Sequence, residues 1–247
     1  KCPADAETLG HTIAQFAAKW KVRGAERVVL GLPGQMVLGR FFELPPTMKA
    51  KARDAAILYE AKHQIPYPLQ ELVWHPHVVK HTGEDGNMIE ASVALLATHT
   101  KNVNERLKPL ADQGITVDAV QSECVALHNL MHFEYFDTAE SPSQSDRTEA
   151  IVAVDVGAQG TNFVVCSSGQ LWSRSFAVAG DAFTRALVSR FRLTSQQAEA
   201  VKKRIDKAPQ IHEAASALEV PFHNLQSEIK RSLERACQVH TGLRIKH

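Results

Sequence analysis

The sequence predicts an α/β protein, and three observations carry that prediction. A Val-rich apolar run at residues 151–156 meets a short Gly-bearing turn, and a second apolar run starts after Thr161. Apolar runs of that length, rich in valine, are expected as buried strands. Second, helical apolar spacing recurs along the chain, as in Leu9, Ile13, Phe16 and Trp20 and again in Phe222, Leu225, Ile229 and Leu233, interleaved with short β-branched runs. Third, residues 36–98 set out a strand, a helix and two strands in succession, the content of a small module of its own.

In chain order, the first helix is expected over residues 5–21, ended by Gly24. A buried strand at 27–32 closes at Pro33-Gly34. A strand over 36–44, with Gly39 in its middle, stops at Pro45-Pro46, and Thr47 is placed to cap a helix reaching about His63. Ile65-Pro66-Tyr67-Pro68 breaks that helix, because each proline forces its predecessor to be extended. Strands over 73–80 and 88–98 flank an Asp85-Gly86 hairpin step, and Pro76 puts its own strand at an edge. Ile89, Ala91, Val93 and Leu95 alternate with Glu90, Ser92 and Ala94, which predicts a half-buried strand. Thr100 is expected to cap a helix with Val103, Leu107 and Leu110 inward and Gly114 as its stop. A strand at 115–120 follows, then a helix opened by Ser122 and Glu123. Ser-rich residues 138–145, with Pro142, form a linker. Beyond the central turn come a Ser168-Gly169 hairpin, a strand over 171–178, a helix led by Gly180-Asp181, a helix capped by Thr194, and a last helix over about 221–238.

Composition narrows the function classes. The chain has 247 residues, 44% hydrophobic and 22% charged, which is ordinary for a globular protein of one or two domains. A net charge of +1 supplies no electrostatic case for nucleic acid or an anionic membrane surface. No apolar run is long enough to span a bilayer, and no signal peptide is recognisable. Cys2, Cys124, Cys166 and Cys237 are widely spaced with no CxxC pair, so free thiols in a reducing compartment are expected, without a disulfide frame or zinc site. The chain starts at Lys1 and stops as a strand-like Leu243-Arg244-Ile245 begins, so a piece of a longer protein is expected.

Candidate chemistry concentrates at the turn. Gly157 and Gly160 let backbone N–H groups approach an anion with no Cβ in the way. Asp155, Gln159, Thr161 and Asn162 lie on or beside it. A carboxylate next to a phosphate cradle is suited to holding magnesium or an attacking water; a tight hairpin with a solvated aspartate is equally compatible with the turn alone. Elsewhere the signals are weaker. His75, His77 and His81 could share a strand face but have no evident carboxylate or thiolate partner, so solvated edge histidines are preferred. His128 and His132 are one helical turn apart, but Asn129 stands where a zinc-protease helix needs glutamate. Lys202-Lys203-Arg204 and Lys230-Arg231 are expected on solvated helix faces, and Trp20 and Trp74 in packing roles.

Several stretches, taken together and in order, resemble one family. They are Val28-Val29-Leu30-Gly31-Leu32-Pro33-Gly34, Leu44-Pro45, Glu60-Ala61-Lys62-His63-Gln64-Ile65-Pro66-Tyr67-Pro68-Leu69, Val154-Asp155-Val156-Gly157, Gly169 followed by Arg174, Gly180-Asp181-Ala182-Phe183-Thr184, Ala198-Glu199-Ala200-Val201-Lys202, and Glu228-Ile229-Lys230-Arg231-Ser232-Leu233. The set resembles the PilM family of actin-like type IV pilus assembly proteins and, more distantly, the cell-division protein FtsA.

The resemblance implies a partial actin/Hsp70-like (ribonuclease H-like) fold. Residues 1–35 and 99–137 would form one incomplete half, 36–98 an inserted small α/β subdomain, 138–148 a linker, and 149–247 the second, incomplete half. It further implies an ATP and Mg site. Asp155, Gly157, Gln159, Gly160 and Thr161 would be the second phosphate loop, with Asp155 holding magnesium through water as the one catalytic candidate. Gly180 would approach the nucleotide closely, and Glu199 and Lys202 would meet ribose and adenine. The first phosphate loop would precede Lys1 and the adenosine loop would follow His247, so this chain alone is expected to hold ATP weakly. The implied partner is the N-terminal peptide of an inner-membrane, PilN-like pilus protein, and the implied location is cytoplasmic, at the membrane through partners. The implied role is a scaffold with at most weak ATPase activity. The alternative is a sugar-kinase-like phosphotransferase or other ATPase of the same superfold. A kinase needs a carboxylate base beside the γ-phosphate, and the sequence offers no candidate besides Asp155.

Overall fold

The computed structural model describes residues 6–20, 27–45, 49–82, 88–136, 149–167, 170–208, 210–239 and 244–245. Thr47, Asp85-Gly86, the 138–148 linker, Ser168-Gly169 and Cys2 lie outside them. The chain divides into two compact units, Lys1–Ala126 and Leu127–His247.

The first unit runs α1 (Ala6–Trp20), β1 (Val29–Leu32), β2 (Leu38–Leu44), α2 (Ala50–Gln64), β3 (Leu72–Thr82), β4 (Met88–His99), α3 (Thr100–Ala111) and β5 (Ala119–Ser122). β2, β4 and β3 form an antiparallel sheet in that order, while β1 and β5 pair in parallel in a separate sheet. Ala61 of α2 packs with Leu95 and Ala97 of β4, and Ile57 with Leu44 and Val93. β3 is an edge, as Pro76 requires.

Four sequence expectations are corrected in this unit. β4 does not alternate: Ser92, Val93, Ala94, Leu95, Ala97 and Thr98 are all buried. It is the central strand, and its small Ser92 and Ala94 pair across to Glu43 and Phe41 of β2 on one side and to β3 on the other. Thr100 does not cap α3; its hydroxyl donates to the Glu71 carbonyl at 3.0 Å, and His99 holds the cap position. The second half of the α1 stripe is exposed at Phe16 and Trp20, while Ile13 is half-buried and the small Ala17 is buried. β5 starts at Ala119, because Asp118 is occupied in aligning it with β1. Its carboxylate accepts the Val28 N–H at 2.7 Å, and its own N–H donates to the Val28 carbonyl at 2.9 Å. Gly114 does stop α3, at φ +70, where the Ile115 N–H closes on the Leu110 carbonyl. β1 itself is partly exposed, Val29 included.

α4 (Glu123–Tyr135) runs across the division between the units. The second unit continues with β6 (Glu149–Val156), β7 (Thr161–Ser167), β8 (Leu171–Phe176), α5 (Gly180–Phe191), α6 (Ser195–Lys203), α7 (Ile211–Val239) and β9 (Arg244–Ile245). The sheet order is β8-β7-β6-β9, antiparallel except for β6 and β9. β7 is buried throughout, as two flanking strands and a Val-rich sequence dictate. Its Cys166 thiol donates to the His128 carbonyl of α4 at 3.7 Å, and burial pushes that thiol up to about 12. β6 is expected to be buried and is so only in part: Ala150 is buried and Ile151–Ala153 are half-buried, whereas Val154 and Val156 at its end are exposed. Among the described residues its outer edge is paired only at Glu149 and Ala150.

The last helix is longer than its sequence signal. α7 starts at Ile211, ten residues before the expected start, and Pro221 is buried in its interior. An interior proline deletes one helix bond and usually kinks the chain; here the packing of Ala214 and Leu218 against Phe183, Leu187 and Ala198 accompanies a helix that continues through it. The predicted face is shifted as well: Phe222 is exposed, with its ring edge-on to Phe183 at 5.2 Å.

Candidate functional site

The residues singled out around the turn come together in the second unit. The β6–β7 hairpin is narrowest at Val156 and Thr161, and the turn closes with the Gly157 N–H donating to the Gly160 carbonyl at 2.9 Å. A Cβ on Gly157 would lie 2.9 Å from that carbonyl oxygen, so the turn requires glycine there. The buried Thr161 fixes the exit by donating its hydroxyl to the Val178 carbonyl at 2.6 Å. Val178 lies two residues before α5, so this bond ties the turn to the helix start.

α5 then docks on the turn through its own backbone. The Gly180 N–H donates to the Gly157 carbonyl at 3.0 Å, and the Asp181 N–H donates to the Ala158 carbonyl at 2.7 Å. A Cβ at Gly180 would stand 3.2 Å from the Gly157 oxygen, so glycine here permits the close approach of helix to turn. These bonds also fix the turn's other face. In a trans peptide the N–H is antiparallel to the C=O, and no described peptide is cis. With the carbonyls of Gly157 and Ala158 drawn to α5, the N–H groups of Ala158 and Gln159 point away from it. Ala158 and Gln159 are both exposed.

Glu199 and Lys202 of α6 reach the same helix start. The Lys202 ammonium donates to Glu199 Oε2 at 2.6 Å, to Thr184 Oγ1 at 2.9 Å and to the Gly180 carbonyl at 3.2 Å. An ammonium has three protons, so all are engaged. The Thr184 hydroxyl lies 2.8 Å from Glu199 Oε2. The Lys202 ammonium and the Thr184 hydroxyl hold the Glu199 carboxyl below the usual glutamate range. α6 is itself started by a capping box: Thr194 accepts the Gln197 N–H, and Gln197 accepts that of Thr194. Thr184 carries no motif signal of its own; its position four residues after Gly180 on the helix places it there.

Asp155 is exposed at the end of β6, with Oδ2 accepting from the Asn162 side-chain amide at 3.3 Å. Phosphate and magnesium fit this arrangement on two grounds: the outward pair of turn N–H groups beside Gly157, where a Cβ would meet backbone oxygen at 2.9 Å, and a carboxylate anchored by one oxygen. Ribose and adenine fit Glu199 and Lys202 less well, since each already bonds the other. Among the described residues no group of three or more metal-ligating side chains is assembled. His75 and His77 are exposed on the β3 edge, and the His81 side chain lies outside description.

The architecture is the actin-like α/β class. A solved structure of the PilM-PilN type IV pilus biogenesis complex matches with a TM-score of 0.73 at 22% identity, covering 94% of this chain and 64% of that one. Looser overlaps are the MreB5 of Spiroplasma citri bound to ADP (TM-score 0.48, 15% identity, 94% of this chain and 58% of that one) and the ethanolamine utilization protein EutJ from Carboxydothermus hydrogenoformans (0.41, 14%, 58% and 46%). The family model described as type IV pilus assembly protein PilM matches residues 3–242. The chain belongs to the PilM family. It spans 64% of the length of the PilM chain in the matched complex.

Proposed function

We propose that this chain acts as a nucleotide-responsive scaffold in type IV pilus assembly. The observation that supports it is the convergence of the 155–161 turn, the start of α5 and the Glu199–Lys202 pair on one backbone position, Gly180. In this reading the outward N–H groups of Ala158 and Gln159 bind a phosphate of ATP, and Asp155 holds magnesium through water. Bound magnesium neutralises phosphate charge. Glu199 and Lys202 hold the start of α5 and meet the nucleoside only if their mutual bonds open. Residues 36–98 act as an inserted subdomain between 1–35 and 99–137, with 149–247 as the second half after a 138–148 linker. The partner is the N-terminal peptide of a PilN-like inner-membrane protein, by analogy with the PilM-PilN complex; no helix of the described residues is long and apolar enough to cross a membrane. A cytoplasmic location follows from that partner.

The test uses the full-length protein in thermal-shift and calorimetric titrations with ATP, magnesium and the partner peptide. Asp155→Ala is expected to abolish the magnesium-dependent part of the nucleotide effect. The apparent melting temperature should fall by only a few degrees, about 2–4 °C for each kcal/mol lost, because Asp155 is exposed and its bond to the Asn162 amide is long at 3.3 Å. Unchanged magnesium dependence would remove the phosphate-loop reading.

A further inference from the structure

Three side chains form a polar ladder straight across the sheet of the second unit. Asp155 of β6, Asn162 of β7 and Ser175 of β8 are direct cross-strand partners. The Ser175 hydroxyl donates to Asn162 Oδ1 at 2.7 Å, and the Asn162 amide donates to Asp155 Oδ2 at 3.3 Å. Asn162 is 5% exposed, whereas Asp155 is open to solvent.

The chemistry of the three groups sets the direction of the ladder. An ionised carboxylate only accepts, so the amide must present its NH2 to Asp155. Its carbonyl oxygen then faces Ser175, and Ser175 must donate. Removing the Ser175 hydroxyl removes a bond that favours this orientation of the amide. We infer that Asn162 and Ser175 are positioning residues for Asp155, holding its Oδ2 inward so that the other carboxylate oxygen is presented to a cation-bound water at the turn. This rests on the reading of Asp155 as the magnesium-side carboxylate. Groups that orient a metal-side carboxylate commonly change metal affinity by about 10–100-fold when removed.

Two measurements on the full-length protein test it. In protein labelled with 15N at asparagine, the Asn162 side-chain amide should give one slowly exchanging pair of signals. Ser175→Ala should shift that pair and speed its exchange at least about tenfold, and Ser175→Thr, which keeps the hydroxyl, should restore it. An unmoved pair in Ser175→Ala overturns the ladder without reference to any nucleotide. In calorimetry, Ser175→Ala should weaken the magnesium-dependent increment of ATP binding by about tenfold, leave magnesium-free binding unchanged, and be rescued by Ser175→Thr. A wild-type increment in Ser175→Ala, with the increment lost in Asp155→Asn, overturns the positioning role alone. A wild-type increment in Asp155→Asn overturns the magnesium reading and the positioning role with it.

Discussion

Arg174 reaches from β8 to α7, where its guanidinium meets Glu228 Oε2 at 2.7 Å and donates to the Ser232 hydroxyl at 3.0 Å. Both charged side chains are mostly shielded, at 24% and 20% exposure. Arg174→Met leaves Glu228 shielded with only the more exposed Arg231 as partner. The expected loss is about 1–3 kcal/mol, between the values for exposed and buried pairs, read as a lower urea midpoint at unchanged slope. Glu199 gives a second residue-scale outcome. Its native carboxyl is held below the ordinary value of 4.5 by Lys202 first and then Thr184. A depressed native pKa stabilises the fold fully above the unfolded value, and that contribution fades as pH falls from about 4.5 through the lower native value. Glu199→Gln should therefore flatten the acid limb of a stability-versus-pH curve below about pH 4.5. A variant curve parallel to wild type throughout would contradict the pairing.

The turn between β6 and β7 works as an element because its backbone bonds in two directions, inward to close itself and sideways to α5. Gly157→Ala sets a Cβ 2.9 Å from the Gly160 oxygen, which is backbone and cannot swing away. The turn must open, and the α5 bonds to Gly157 and Ala158 must lengthen. The expected outcome is loss of the ATP-dependent thermal shift in the full-length protein, with a fall in unfolding free energy of about 1–2 kcal/mol. Hydrogen exchange at Gly180 and Asp181 should rise with it, since those N–H groups are held by the turn. An unchanged thermal shift would show that the turn is not where nucleotide acts.

For the molecule as a whole, the expected affinity of these 247 residues for Mg-ATP is about 1 mM or weaker, worth only about 4 kcal/mol. One turn offers a few N–H bonds of about 0.5–1.5 kcal/mol each, somewhat more to a charged phosphate. Losing the ligand's free motion costs roughly 4–15 kcal/mol. Calorimetry on this chain checks it; micromolar binding would show that these residues offer a nucleotide far more than one turn. Much of this organisation was legible in the sequence. Runs of β-branched residues, Gly114, Thr194 and the glycines of the turn each act over a few residues, and the structure has them where expected. The failures have one physical source, which is that burial is decided by what arrives from elsewhere. Ser92 and Ala94 are buried because β4 gained two neighbours, and among the described residues β9 pairs with β6 only at Glu149 and Ala150, away from the exposed Val154. α7 begins ten residues earlier than expected and continues through Pro221, where tertiary packing outweighs a local breaker. The turn glycines and Asp155 stood out in the sequence as candidates, whereas the bonds that Thr184 and Ser175 make did not, since a lone hydroxyl acquires its partners only when the chain folds against it.

The two bonds from α5 to the turn also have an electrical meaning. A helix start carries about half a positive charge, spread over its first N–H groups, and here the groups of Gly180 and Asp181 are spent on the Gly157 and Ala158 carbonyls. A peptide whose oxygen accepts a hydrogen bond becomes a stronger donor at its nitrogen. The helix field is thus relayed through two peptide planes and emerges at the Ala158 and Gln159 N–H groups. An anion at the turn would feel α5 without touching it, and would in turn pull the start of α5 towards itself.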